Sequence, residues 1–111
     1  MLSLFALPAR DAKARLPSTL WAAVDKDGHL QRGKGVAASF KYTGGTVSQY
    51  AVIFKRDVSN CAYAAPALDN YYGINISVAP DTSGSTPNYL VVYTYSGTSL
   101  YDAPFSLVVN C

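Results

Sequence analysis

Residues 50 to 63, YAVIFKRDVSNCAY, decide the fold. Tyr50, Val52 and Phe54 alternate with Ala51 and Ile53, the period of two that places one set of side chains on one sheet face. Arg56-Asp57-Val58-Ser59-Asn60 then reads as a turn, because Asp, Ser and Asn side chains bond nearby backbone and compete with strand pairing. A second strand begins at Cys61, so the stretch is expected to form a hairpin. The only other cysteine, Cys111, closes an alternating run of Phe105, Leu107 and Val109 that puts it on a buried face. Bonded, the two cysteines staple the C-terminal strand to this hairpin; unbonded, they are two buried thiols. A bond closing so long a loop constrains the unfolded chain by about 4 kcal/mol in the loop-entropy model. It persists only in an oxidising setting, such as a secreted protein or a virion surface.

Outward from this stretch the pattern repeats. Leu20 to Val24 is a strand, Asp25-Lys26-Asp27-Gly28 a turn in which Gly28 supplies the positive φ, and His29 to Arg32 the returning strand. After Gly33-Lys34-Gly35, Val36, Ala38, Phe40 and Tyr42 are expected to point inward, against Ala37, Ser39 and Lys41. Thr43-Gly44-Gly45-Thr46 turns the chain into the strand ending at Phe54. On the C-terminal side Tyr72, Ile74, Ile76 and Val78 form another alternating set, followed by a small-residue loop at 81–88, DTSGSTPN. Tyr89, Val91, Tyr93 and Tyr95 share one face of the next strand and Leu90 and Val92 the other, so this strand is apolar on both sides. About eight short strands, with turn signals every eight to twelve residues, are the mark of an all-β sandwich or jelly roll.

Residues 1–19 differ from the β domain at 20–111. Ala9 to Leu16 offers about two turns of helix between Pro8 and Pro17, too short to stand alone. With Leu2, Leu4, Phe5 and Leu7 apolar and Arg10 and Arg15 basic, the segment is expected to be an assembly arm ordered by a partner. The Leu2 to Leu7 run is too short to span a membrane and has no basic residue before it, which makes a poor signal peptide.

Composition supports a single β domain. The chain has 111 residues, half of them apolar and 14% charged, with nine Tyr and no Glu. The net charge of +2 conceals an asymmetry: every Lys and Arg lies at or before Arg56, and after Asp57 the only charges are Asp69, Asp81 and Asp102. A spread of cations like this is usually solubilising. Nucleic acid is not the expected partner, because most tyrosines lie in the half without Lys or Arg.

Catalytic signals are weak. His29 is the single histidine and follows a tight turn, and no G-x-S-x-G motif is present. The Asp residues stand in turn contexts where they cap backbone amides. Asp25-Lys26-Asp27-Gly28 opens like a calcium loop but lacks the later ligands and the closing Glu. Two cysteines and one histidine do not complete a zinc site from one chain. Neither catalytic residue, metal nor cofactor is expected. Binding is better supported: Tyr, Ser, Thr, Gly and Asn dominate the second half, a mixture of rigid aromatic contact and adaptable hydrogen bonding. Tyr71, Tyr72, Tyr89, Tyr93, Tyr95 and Tyr101 are the expected ligand or subunit surface.

Trp21-Ala22-Ala23-Val24-Asp25, Asp27-Gly28, Arg32-Gly33, Gly35-Val36, Phe54, Arg56-Asp57-Val58-Ser59 and Cys61-Ala62-Tyr63, with the terminal FSLVVNC, resemble an uncharacterised bacterial and phage β domain. Such domains often follow coiled-coil or collagen-like stalks. The resemblance spans 20–111, weakest at 66–88, and implies a trimeric head of a fibre or surface protein. A 19-residue arm in place of a long stalk points instead to a decoration or accessory protein. The expected function is therefore a non-enzymatic structural or attachment module of a virion or extracellular assembly. It would be homo-oligomeric, with other structural proteins of the assembly as partners. The alternative is a secreted carbohydrate-binding module that meets surface glycans through tyrosines.

Overall fold

Alternation of β-branched and aromatic residues over five to eight positions cannot bury one face of a helix, and the chain duly pairs as sheets. The computed structural model describes residues 19–44, 48–66, 73–81 and 85–111. These contain nine strands: β1 Thr19–Val24, β2 Leu30–Lys34, β3 Val36–Lys41, β4 Gln49–Phe54, β5 Ala62–Ala64, β6 Ile74–Pro80, β7 Tyr89–Ser96, β8 Ser99–Leu100 and β9 Phe105–Asn110. All pairings are antiparallel. One sheet has the order β2-β1-β9-β5; the other runs β3-β4-β7-β6, with β8 also on β7. The result is an all-β sandwich.

Inward residues of both sheets fill one core. Leu20, Ala22 and Val24 of β1 and Phe105, Leu107 and Val109 of β9 meet Tyr50, Val52 and Phe54 of β4 and Leu90 and Val92 of β7, all buried. Each large apolar side chain so placed stabilises the fold by about 1.5–3 kcal/mol. The Tyr50 and Phe105 rings meet edge-on across the two sheets at 5.2 Å, and the Tyr50 hydroxyl donates to the carbonyl of Lys26 at 2.7 Å. Burial, then the nearby Asp102 carboxylate, pushes the Tyr50 phenol up to about 12.

The β1–β2 turn forms as its residues dictate. Gly28 has φ of +90°, and a Cβ there would lie 2.4 Å from the Lys41 backbone nitrogen. Only glycine permits that close approach to β3.

Two expectations are corrected. The stretch 50–63 is not a hairpin, because β4 lies in one sheet and β5 in the other, where it pairs with β9. Residues 55–61 are instead a crossover between layers. Buried Val58 pins it: its N–H donates to the Pro87 carbonyl, and its own carbonyl accepts from the N–H of Cys61 and the hydroxyl of Tyr63. Turn-type residues mark a change of direction, and they do not say which sheet the chain re-enters.

The second correction concerns β3. Its register shifts between Val36 and Ala38, so Val36 pairs with Phe54 but Ala38 with Ile53. Such a bulge reverses which side chains face the core. Val36 packs on the core as expected, whereas Ala38, Phe40 and Tyr42 fall on the outer face with Ile53, Ala51 and Gln49. Inward in their place are Ser39, which donates to the Gly28 carbonyl at 2.7 Å, and Lys41.

Cys61 and Cys111 are joined by a disulfide beside the last β5–β9 pair, Ala62 with Asn110. The bond therefore ties β9 to β5 at the end of the crossover, and both cysteines pack against the core.

Candidate functional site

The outer face of the five-stranded sheet follows from the ladder registers. In one row Ala38, Ile53 and Tyr89 stand side by side; in the next come Phe40, Ala51, Val91 and Ala79. Then follow Tyr42, Gln49, Tyr93 and Ser77, and finally Asn75, Tyr95 and Leu100. Five aromatic rings thus come onto one surface from two strands, β3 with its continuation at Tyr42 and β7. The rings of Phe40 and Tyr42 meet edge-on at 5.0 Å, and those of Tyr93 and Tyr95 stack at 6.5 Å.

These rings lie over the sheet rather than standing free of it. Ala51 is fully buried although it faces outward, so its large neighbours close over it. Burial raises the Tyr42 phenol above its ordinary range, with lesser contributions from Asp81, Tyr89 and Tyr93, which places all four together. Phe40 and Leu100 remain 39% exposed at the two ends of the patch. No Lys or Arg is placed in any of these rows. Gln49, Ser77 and Asn75 supply amide and hydroxyl groups among the rings, the last donating to the Gly97 carbonyl at 3.3 Å.

Of the residues expected from sequence to form a surface, Tyr89, Tyr93 and Tyr95 are brought together here. Tyr101 is not: it pairs through backbone with Thr94, an inward residue, and is 53% exposed off this face. Tyr71, Tyr72 and the arm residues Leu2, Leu4, Phe5, Leu7, Arg10 and Arg15 lie outside the described residues. Phe40 and Tyr42 are the members that alternation assigned to the core. Only the polar residues between them, Ser39 and Lys41, hinted otherwise, and each has a specific inward partner.

Lys41 belongs to a polar cluster at one end of the sandwich. Its ammonium pairs with Asp102, whose other oxygen accepts from the Ser48 hydroxyl at 2.5 Å. Burial works against the Asp102 charge, but the hydrogen bonds from Lys41 and Ser48 outweigh it and hold the carboxyl below its ordinary value. Ser48 is fully buried, with φ of 60°, a conformation that costs about 1 kcal/mol or more for a side-chain-bearing residue. It stands just before β4 begins, where β8 takes over as partner of β7. Its carbonyl accepts from the Thr94 N–H, and Thr94 in turn binds Tyr101. A serine sealed from solvent attacks no substrate, and this cluster locks the strand ends.

Asp25, Asp27 and His29 bring donor atoms within 4.8 Å of one another on the exposed β1–β2 turn. The Asp25 carboxylate is already engaged, accepting from the N–H groups of Asp27 and His29 and from the Gln31 amide. Those backbone bonds, acting against desolvation, hold its pKa below the ordinary value. The arrangement is turn chemistry. Beside the disulfide, Arg56, Asp57 and Asn60 line a shallow cavity of about 240 Å³. Among the described residues no helix is long and apolar enough to cross a membrane. Compared with family models, curated proteins and solved structures, the chain shows no match in any of the three.

Proposed function

We propose that this chain is a non-enzymatic structural or attachment module of a virion or extracellular assembly, and that it works through the outer face of its five-stranded sheet. The observation that carries the reading is the patch of five rings from β3, its continuation at Tyr42, and β7, with no Lys or Arg in its rows and Asp81 at its margin. A sandwich buries only the inner face of each sheet, and contiguous apolar surface on the outer one marks a contact site. The disulfide fits an oxidising location. On this reading the face meets another subunit in a homo-oligomer, the segment 1–19 docks the module onto other structural proteins, and removing 1–17 abolishes assembly while sparing the fold. Light scattering on the wild type and on Val91→Asp, which puts a charge in the centre of the patch, tests it. A smaller assembly in the variant is expected, and a wild type that is monomeric at high micromolar concentration refutes it.

The interleaving of Gln49, Ser77 and Asn75 with the rings supports a second reading, a carbohydrate-binding module. Sugar rings stack on aromatic faces while amides and hydroxyls take up their hydroxyl groups. A glycan array probed with wild type and Tyr93→Ala distinguishes the two: signal lost in the variant favours sugar, and a blank array leaves the subunit contact.

A further inference from the structure

A sandwich of two open sheets has four edges, and three of them here carry devices that block further pairing. The β2 edge carries Arg32 and Lys34. The β3 edge has the bulge between Val36 and Ala38 and ends at Lys41. The β5 edge is three residues long and is closed by the disulfide.

The fourth edge, β6, has no charge, bulge or covalent clasp, and its one blocking residue is Pro80 at the strand's end. Its seven residues, INISVAP, include no charge, and its register against β7 runs unbroken from Ile74–Ser96 to Pro80–Leu90. Among the described residues no strand lies on its other side. Flanking hydrogen bonds fix which backbone groups face that side. The Gly73 carbonyl accepts from Gly97 and the Asp81 N–H donates to Tyr89, so odd-numbered positions face β7. Backbone groups alternate in direction along an antiparallel strand, so Ile74, Ile76, Val78 and Pro80 direct theirs outward. Proline falls on the side where a missing N–H costs the internal ladder nothing.

We infer that β6 is a pairing edge whose partner is β6 of a second copy of this chain, antiparallel across a two-fold axis. The strand is complementary to itself. A register centred on Ser77 overlaps all seven residues, setting Ile76 beside Val78 and Ile74 beside Pro80 of the second copy. Inward residues therefore meet inward residues, and the two cores become continuous. Antiparallel pairing across this edge makes about six backbone hydrogen bonds, the prolines each omitting one. It also separates the two Asp81 carboxylates by roughly 25 Å, at about 3.4 Å per residue, so no like charges meet. The joint adds to the self-association proposed above and stands even if the aromatic face binds sugar. It builds even-numbered assemblies, whereas the resemblance to stalked heads implies three.

The test is solution mass on the full chain, with Val78→Pro at the edge and Val91→Asp on the face. The expected result is a Val91→Asp variant that, without the face contact, is still a dimer through the edge, and that the added Val78→Pro substitution reduces to the chain mass. Ser77→Cys covers the case in which Val78→Pro fails to fold. Two-fold pairing makes it cross-link to a dimer in oxidising buffer at least tenfold faster than Arg32→Cys on the blocked β2 edge. A monomeric wild type, an odd-numbered assembly, a Val91→Asp variant that is monomeric, or cross-linking no faster than at Arg32 overturns the pairing. The third of these outcomes leaves the aromatic face as the contact.

Discussion

The two sheets share one core but present opposite outer surfaces. On the four-stranded sheet the outward rows are Lys34, Trp21, Val108 and Ala64, then Arg32, Ala23 and Ser106, then Thr19, Asn110 and Ala62. That is one aromatic ring among small residues, with cations along an edge. On the five-stranded sheet the same geometry carries Phe40, Tyr42, Tyr89, Tyr93 and Tyr95 and no Lys or Arg. Small and charged outer residues tolerate water at little cost, whereas a contiguous aromatic face gains free energy from being covered. The molecule is therefore sided. Its four-stranded sheet is a solvated back, and its five-stranded sheet is an aromatic front.

Breaking the difference between inner and outer positions should give the largest effect. Val92→Asp places a charge among the fully buried residues of β7, where an unpaired carboxylate costs more than about 3 kcal/mol. Thermal melts should show an unfolded or barely folded chain, while Val91→Asp, one residue along on the front face, keeps most of its stability. Next, replacing both Cys61 and Cys111 by alanine should cost about 4 kcal/mol, read from urea midpoints, because the closed loop spans a sequence separation of 50. The loss should fall on β5 and β9 of the back sheet, where hydrogen exchange ought to rise first.

Asp102→Asn is a smaller perturbation, about 1–3 kcal/mol, since it leaves Lys41 without its counter-ion and weakens the acceptor of the buried Ser48 hydroxyl. Its pH dependence has a definite sign. The folded carboxyl titrates below 3.8, so its contribution is fully present above that value and is lost as the pH falls through the lower folded pKa. The wild-type advantage over Asp102→Asn should vanish in acid. Tyr50 acts at the other extreme. Its contribution is present below 10.0 and is lost as the pH rises to about 12; Tyr50→Phe should flatten that alkaline arm. The smallest effect on stability belongs to Tyr93→Ala, about 0.5–1.5 kcal/mol beyond lost area. Its association or sugar binding should fall far more than that of Trp21→Ala on the back sheet.

How far the chain could be read from its sequence differs between the same two regions. Alternation located β1, β4, β6, β7 and β9, grouped Tyr50, Val52 and Phe54 on one face and put Phe105, Leu107 and Val109 on a buried one, but β7, apolar on both sides, left open whether Leu90 and Val92 or the tyrosines faced the core. It also placed Cys61 and Cys111 on inward faces. It failed at β3, where one bulge and two polar inward contacts, Ser39 to Gly28 and Lys41 to Asp102, reverse the faces. Those partners are 11 and 61 residues away in sequence, so no local pattern reports them. The front surface was for this reason half legible: its β7 tyrosines were readable and its β3 aromatics were not. The crossover at 55–61 escaped for a similar reason, since pairing between sheets is decided by the Val58 anchor rather than by turn residues.

The position of the disulfide has a mechanical consequence. Thr19 of β1 stands beside Asn110 of β9, which stands beside Ala62 of β5, so Thr19 and Cys111 lie at the same end of the back sheet. Tension applied between these two points pulls neighbouring antiparallel strands apart from one end. It loads their hydrogen bonds one pair at a time, as a zipper opens, rather than all together in shear. The bond at Cys111 transfers that load to Cys61 and the crossover, so β9 is held and β1 is the strand that peels. A module hung from Thr19 and pulled at Cys111 would yield at low force by releasing β1, with β5 and β9 still clasped.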